Sequence, residues 1–283
     1  MVTTYTFGSP APDGGPEFSV SVVSPRPLPM VEAIALVEAE MGTRPSKVWE
    51  TELTYPQPQA DPRESVQGIA AAYATCNRCH LSARRNMVST MRGNPYSPVV
   101  CVGEGPGRED DERGSPFVGA AGRLQNELFR EFDIEPNTLA WMNLVGCRPC
   151  NDYWADNRAP LLGELLACSE RTWGLLATIR PRVVICLGKE ATAVFWDEPP
   201  KDVWSWHRVV PDGAPDDWVM VGYARHPTYL ARVIGMPSNY KEYAAARTFY
   251  GILRAQLASL TKVSAWRVGL RYMHKLVAPM VTK

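Results

Sequence analysis

The sequence predicts an α/β fold in three layers, with a central, mainly parallel four-stranded sheet flanked by helices. Short apolar runs rich in β-branched residues alternate along the chain with longer segments of helical spacing. Parallel strands joined by helices produce this alternation. The run at 97–103, SPVVCVG, also ends in glycine, as a strand buried on both faces often does where it enters a loop.

The elements of this sheet can be placed from local patterns. Predicted strands lie at 97–103, 139–145, 182–187 and 218–223. Predicted helices lie at 64–75, 119–132, 160–179, 189–196 and 239–260. Ligands of such sheets bind at the carboxyl ends of the strands. Unusual sequences follow three of the four predicted strands, so the functional residues are expected there.

Both ends of the chain differ from this regular middle part. Residues 1–60 are rich in proline and hold a β-like stretch at 18–23 and a helical segment at 30–41 that closes at a glycine. We therefore predict three parts: an N-terminal appendage over 1–60, an α/β domain over 61–262 and a basic tail over 263–283.

Composition excludes several classes of protein. With 45% hydrophobic and 21% charged residues, the chain is not disordered as a whole. It has no apolar run near the ~20 residues of a membrane helix and no signal segment at its start, so we expect a cytoplasmic protein with no membrane partner. The net charge is zero, but residues 241–283 hold eight basic side chains and one acidic one, which could follow a phosphate backbone.

The seven cysteines suggest a metal or cluster site. Cys76 and Cys79 form one CxxC pair, Cys147 and Cys150 form another, and Cys168 lies on a predicted helix. The remaining two cysteines lie inside predicted strands and are expected to be inert core residues. Two CxxC pairs suit a zinc site, and one pair with two more distant cysteines suits an iron–sulfur cluster. Spacing alone leaves both open.

A glycine-rich segment follows the first predicted strand. It reads GEGPG at 103–107 and continues through an acidic run to the Pro116–Gly119 turn. The spacing matches neither the dinucleotide-binding fingerprint nor a P-loop, and carboxylates are poor partners for phosphate. Glycines, carboxylates and the aromatic Phe117 instead favour a pocket for a flat neutral ring.

The last predicted strand is followed by ARHPTYL at 224–230. A single histidine is usually structural. His226, however, lies at a strand end and before a proline, in a turn that opens a helix, which favours a functional role.

Together these segments resemble the uracil-DNA glycosylase superfamily, in particular the family 4 type that carries a [4Fe-4S] cluster. The resemblance covers roughly residues 62–260 in the family's order. The motifs are the first CxxC, GEGPG with EDD and GSPFVGAAG, Asn143 with CRP at 147–149, NRAP at 157–160, and HPTYLAR at 226–232.

The resemblance implies a cluster held by Cys76, Cys79, Cys147 and Cys168. The last two are several residues further apart than is usual in the family. Cys150 stands where the family has a second proline, so it is either a free thiol or a competing ligand. The cluster is expected to have a structural role.

The resemblance also implies a monomeric, monofunctional DNA glycosylase that flips a pyrimidine nucleotide out of DNA and hydrolyses its N-glycosidic bond, leaving an abasic site. The implied catalytic residues are Asp110, Asp111 and His226. The implied base-binding residues are Glu104, Gly105, Phe117 and Asn143. The implied DNA contacts are Pro227, Leu230 and Arg232, of which one of the last two would fill the vacated stack.

Two departures from the family pattern bear on the substrate. Asp110 stands where the family usually has glutamate, and Ala120 replaces a common arginine. The shorter aspartate would leave room beside C5 of the base, which suggests a C5-modified pyrimidine such as a hypermodified phage base. The alternative is plain uracil. A covalent uracil-trapping relative is rejected, because residues 150–160 lack the histidine it uses. The non-enzyme alternative is a DNA-binding homologue that serves a modification or replication complex.

Overall fold

The structure is a computed structural model. It describes residues 61–151, 156–195, 202–210, 216, 218–229 and 240–262, together with the backbone of 2–10, 16–24 and 47–53. In the N-terminal region, β1 (Val2–Pro10), β2 (Pro16–Ser24) and β3 (Lys47–Leu53) form an antiparallel sheet in the order β2-β1-β3. The predicted β-like stretch at 18–23 lies in β2, whereas β1 and β3 were not predicted. The predicted helix at 30–41 and the tail at 263–283 lie outside the described residues.

The main sheet has six strands, two more than predicted. They are β4 (Arg92–Gly93), β5 (Val99–Gly103), β6 (Ala140–Asn143), β7 (Val183–Leu187), β8 (Ser205–Val209) and β9 (Val219–Ala224). Their order is β4-β6-β5-β7-β9-β8. The four predicted strands are the central β6, β5, β7 and β9, which pair in parallel.

The two strands missed by the sequence prediction are the edges, β4 and β8, and both pair antiparallel. The prediction of a four-stranded sheet was therefore wrong in number, while its mainly parallel character is confirmed. β4 has only two residues, and β8 reads SWHRV and is only partly buried. Neither strand has the apolar run that marks a strand buried on both faces.

Within the part of the chain that the structure describes, six α-helices flank the sheet. They are α1 (Pro62–Tyr73), α2 (Arg108–Arg113), α3 (Ala120–Glu131), α4 (Leu162–Ile179), α5 (Lys189–Ala193) and α6 (Tyr240–Gln256). α1 begins where the Asp61 carboxylate accepts a hydrogen bond from the Arg63 amide and Pro62 occupies the first turn. α2 was not predicted, because its sequence REDDER has no apolar face. Within the described residues, no helix is both long and apolar enough to span a bilayer.

Two hydrophobic cores lie on opposite faces of the sheet. On one face, Val100, Met142 and Val184 pack with Trp173 and other residues of α4. On the other face, alternate strand residues such as Cys101, Trp141 and Ile185 pack with α3 and α6. The three-layer arrangement is therefore confirmed. Cys101 and Cys186 are fully buried, one in each core, which confirms them as core cysteines.

Candidate active site

The carboxyl ends of the four parallel strands each carry a polar residue. Asn143 ends β6, Glu104 follows β5, Glu190 follows β7 and His226 follows β9. Since these strands are neighbours in this order, the four residues form a row across the carboxyl ends of the central strands. A cleft of about 1030 Å³, a volume large enough for a nucleotide, is lined by three of these residues, while the fourth, Asn143, is buried and does not line it. Its walls include Glu104, Gly105, Asp110, Phe117, Glu190 and His226.

The Phe117 ring and the Asn143 amide converge on Gly103. A Cβ at Gly103 would lie 2.5 Å from Asn143 Oδ1 and 2.5 Å from Phe117 Cζ, so only glycine allows both side chains to approach. Asn143 is buried, and its Nδ2 has no hydrogen-bond partner among the described residues. An unpaired buried amide group is costly. The amide is therefore available for a ligand that stacks on Phe117.

Phe117 is held in an unusual backbone conformation. Its φ is +57°, in the left-handed region that few non-glycine residues adopt. A Cβ on Gly122 in α3 would overlap the Phe117 carbonyl, so the turn also depends on glycine there. The Asp110 carboxylate fixes the next residues by accepting hydrogen bonds from the amides of Val118 at 2.8 Å and Gly119 at 3.0 Å. Strain that the surroundings maintain in this way is common at functional sites.

The two predicted catalytic acids occupy different positions. Asp110 is at the cleft wall, where its carboxylate also accepts a hydrogen bond from the Gly107 amide at 3.1 Å. Asp111 is fully buried and accepts hydrogen bonds from the Asn86 amide and from Asn86 Nδ2 at 2.7 Å. Asp111 therefore anchors the chain segment around Asn86, while Asp110 faces both the Phe117 turn and the cleft. A catalytic role for either acid stays a prediction.

His226 lies in the turn after β9 and contributes its imidazole to the cleft. The Thr228 amide donates a hydrogen bond to Nδ1 at 3.3 Å, and Thr228 Oγ1 lies 2.5 Å from the same atom. A backbone amide can only donate, so Nδ1 is the unprotonated nitrogen and the ring proton is on Nε2. Burial lowers the pKa of His226, although Glu190 opposes this shift. At neutral pH the imidazole is therefore a neutral donor.

Glu104 and Glu190 form a carboxyl pair in the cleft. Burial, the charge of Glu190 and a hydrogen bond to it together raise the pKa of Glu104 to about 7, against the effect of Lys189. The sequence prediction included Glu104 but missed Glu190. Its position three residues after a buried strand was no signal by itself, because an acidic residue is ordinary in the first turn of a helix.

Four cysteines lie close enough to influence one another. Burial raises the pKa of Cys79, and Cys168 and Cys76 add to this effect. Burial raises the pKa of Cys147 to about 12, with further contributions from Cys168 and Cys79. The amide of Gly146 donates to Cys168 Sγ at 3.3 Å. The four predicted ligands therefore lie in the same region of the fold, and a cluster held by them stays a prediction. Among the described residues, no group of three or more His, Cys, Asp or Glu side chains is arranged to hold a metal ion.

Cys150 has a different environment. It is fully buried and pairs through its backbone with Asn157. Asn157 in turn accepts from Arg148 Nε at 2.7 Å and donates to the Pro106 carbonyl at 2.9 Å. The NRAP segment thus ties the loop after β6 to the glycine-rich loop after β5.

A buried arginine, Arg171, was also missed by the sequence prediction. It lies on α4 and is 1% exposed. Its guanidinium donates to the carbonyls of Asn143 at 2.6 Å and Thr90 at 3.2 Å, and to Cys168 Sγ at 3.3 Å. An arginine on a helix is usually solvent-exposed, so its sequence position gave no signal.

The predicted DNA contacts are described only in part. Pro227 is buried directly after His226, in the turn that leads out of the sheet. Leu230 and Arg232 lie outside the described residues.

The chain was compared with known proteins. A family model for the uracil DNA glycosylase superfamily matches residues 90–249. A type-4 uracil-DNA glycosylase of Thermotoga maritima is 35% identical over 172 residues, which cover 60% of this chain and 84% of that protein. The Archaeoglobus fulgidus protein of the same name is 35% identical over 134 residues, and the Sulfurisphaera tokodaii protein is 33% identical over 136. These two matches cover 65% and 60% of the relatives, less than two thirds of their lengths.

Proposed function

The chain belongs to the uracil-DNA glycosylase superfamily, and we propose that it removes uracil from DNA by hydrolysing the N-glycosidic bond. It is a DNA glycosylase, a hydrolase of N-glycosyl bonds. The observation that carries the substrate proposal is the convergence of Phe117 and Asn143 on Gly103, with His226 in the same cleft. Together they offer a stacking surface, an edge-reading amide and a neutral donor.

The reaction begins with extrusion of the nucleotide, since the bond is inaccessible inside a duplex. Extrusion costs a few kcal/mol of unstacking, and binding in the cleft offsets this cost. Phe117 stacks on the pyrimidine. The Asn143 side chain pairs with its polar edge, donating from Nδ2 to a carbonyl and accepting at Oδ1 from a ring N–H. This pattern matches uracil.

The bond breaks as negative charge develops on the departing base. His226 Nε2–H donates a hydrogen bond to the base oxygen that receives this charge. A neutral imidazole stabilises the anion without transferring a full proton. The sugar becomes cationic at the same time, and the Asp110 carboxylate stabilises that charge. Because Asp110 already accepts three hydrogen bonds, it acts through its negative charge. Water adds to the cationic sugar, and the proton that this water loses neutralises the departed base anion.

We also propose that Cys76, Cys79, Cys147 and Cys168 hold a [4Fe-4S] cluster. Cys147 is buried, the other three cysteines are partly buried, and two N–H groups donate to Cys168 Sγ, an environment that suits such a cluster. A bound cluster would link the segment after α1 to the loop after β6 and to α4. That loop follows Asn143, so such a link would help to hold the Asn143 amide in place.

A C5-substituted pyrimidine is the second candidate substrate. Asp110 and Ala120, which replace larger residues of the family pattern, both line the cleft. The cleft volume of about 1030 Å³ can contain a nucleotide with an added C5 group.

Base release from matched duplexes tests both candidates. One strand carries uracil, 5-hydroxymethyluracil or a glycosylated pyrimidine at the same position, and alkali-labile sites are quantified under single-turnover conditions. Release of uracil supports the main proposal, and release of only C5-substituted bases overturns it in favour of the second candidate. The Ala120→Arg variant fills the cleft wall without touching the Asp110 hydrogen bonds, so it should reduce release of C5-substituted bases more than release of uracil.

The same assay separates an enzyme from a non-catalytic DNA-binding homologue. Such a homologue would retain the uracil-containing strand in a gel-shift experiment and produce no alkali-labile sites with any of the bases. That result would contradict the proposal, provided that the protein is folded and carries its cluster.

A further inference from the structure

Glu104 and Glu190 are the two strand-end residues that the proposed reaction leaves unused. β7, which precedes Glu190, lies between β5 and β9, which precede Glu104 and His226. We propose that Glu190 shares one proton with Glu104, and that departure of the base requires this proton to remain in the cleft. The inference rests on the proposed glycosylase function and adds a positioning residue to it.

The contacts of Glu190 on both sides support this role. Glu104 and Glu190 line the same cleft from neighbouring strands, and a hydrogen bond between their carboxyl groups contributes to the raised pKa of Glu104. Carboxylates can only accept, so a hydrogen bond between two of them requires a proton on one. Toward β9, Glu190 Oε2 and His226 Cδ2 both lie 3.8 Å from the position a Cβ on Gly188 would take. Glu190 therefore lies close to both the His226 imidazole and the carboxyl group of Glu104.

The charged groups around the pair favour a single shared proton. Burial and the neighbouring Glu190 together raise the pKa of Glu104 to about 7. The only opposing charge identified for Glu104 among the described residues is Lys189, whose ammonium is 80% exposed and 3.5 Å from Glu190 Oε1. His226 is neutral at this pH because burial lowers its pKa. The other charged residues lining the cleft are Arg108, Glu109, Asp110, Arg148 and Asp156.

Loss of the shared proton changes the charge of the pair from minus one to minus two. The base departs with negative charge, so a second negative charge in the cleft raises the barrier. A raised carboxyl pKa means that the proton is held below pH 7 and lost above it. The single-turnover rate should therefore fall roughly tenfold between pH 6 and pH 8. His226 titrates at a lower pH than Glu104, because burial lowers its pKa.

The Glu190→Gln variant tests the inference. It leaves Glu104 as the single carboxyl of the pair, with a lower pKa, so the charge stays at minus one over the same pH range. The rate should vary by less than about twofold from pH 6 to pH 8 and should exceed the wild-type rate several-fold at pH 8. Glu127→Gln, the same change at an exposed position of α3, should keep the wild-type fall. If Glu190 has only a structural role, the Glu190→Gln variant will be slower than the wild type by the same factor at pH 6 and pH 8. That result would overturn the inference.

A second measurement does not depend on activity. In protein labelled with 13C at glutamate carboxyl groups, the signal of Glu104 should titrate near pH 7 in the wild type, and its midpoint should fall by at least one unit in Glu190→Gln. An unchanged midpoint overturns the proton sharing. If the wild type releases no base at any pH, the proposed function fails, while the titration still decides whether the two carboxyl groups share a proton.

Discussion

Arg171 donates a hydrogen bond from its buried guanidinium to the main-chain carbonyl of Asn143 at 2.6 Å. The same guanidinium donates to Cys168 Sγ at 3.3 Å. A single side chain therefore connects the strand end that presents the base-reading amide to a proposed cluster ligand. Arg171 would therefore link the proposed cluster to the proposed base-reading amide.

Replacing Arg171 should affect both regions. Arg171→Met leaves the carbonyls of Asn143 and Thr90 without their guanidinium donor in the core, and we expect the free energy of unfolding to fall by about 3 kcal/mol. Denaturant unfolding measures this change. The exposed Arg130→Met on α3 is the control and should change stability by less than about 0.5 kcal/mol. Equal effects of the two variants would contradict the role of Arg171.

Gly122 should be essential to the Phe117 turn. In Gly122→Ala, the new Cβ would overlap the Phe117 carbonyl, so the turn must move and the stacking ring with it. We expect at least a tenfold loss of single-turnover rate, since small displacements of positioned groups have large effects. Gly68→Ala in α1 is the matched control, because its Cβ meets no atom within 4 Å. That variant should keep full activity and gain about 0.5–1 kcal/mol of stability.

The visible absorption of purified variants distinguishes Cys168 from Cys150 as the fourth cluster ligand. Cys168→Ser should abolish the broad visible absorption of the purified protein, because it removes one of the four proposed ligands. Cys150→Ser should retain it, since Cys150 is packed beside Asn157. Iron and sulfide analysis of both variants provides the measurement. If Cys168→Ser keeps the visible absorption and Cys150→Ser loses it, Cys150 is the cluster ligand in place of Cys168.

Asn143→Asp should impair uracil release. The change replaces the Nδ2 donor by a carboxylate oxygen, which repels the uracil carbonyl that the amide would otherwise bind. We expect a roughly hundredfold or greater loss, as is typical when a site is left with unpaired polar groups. Single-turnover kinetics at saturating enzyme measure it. An unchanged rate would show that Asn143 does not read the base.

The central strands and the main site residues could be predicted from sequence for a physical reason. Strands buried on both faces need continuous apolar, β-branched runs, and those of β5 and β7 are easily recognised. The sequence also pointed to Phe117, Asn143 and His226, because they lie in motifs that resemble those of the family. The edge strands β4 and β8 carry no such run, because one of their sides has no neighbouring strand.

Glu190 and Arg171 could not be predicted because their roles depend on the spatial order of elements. Only the sheet order shows that the strand before Glu190 lies between those before Glu104 and His226. From sequence alone, Glu190 belongs to the first turn of a helix, where an acidic residue is ordinary. Arg171 likewise becomes informative only when α4 packs against the end of β6.

The most direct test of the account is the release of uracil from duplex DNA by the wild type and by His226→Ala, measured as alkali-labile sites in a single turnover. We predict abasic sites at every uracil with the wild type, and a rate roughly 10²–10³ lower with His226→Ala, because the neutral donor to the departing base is lost. DNA binding should be similar for both proteins. Binding without abasic sites in the wild type, or equal rates for the two proteins, would contradict the account.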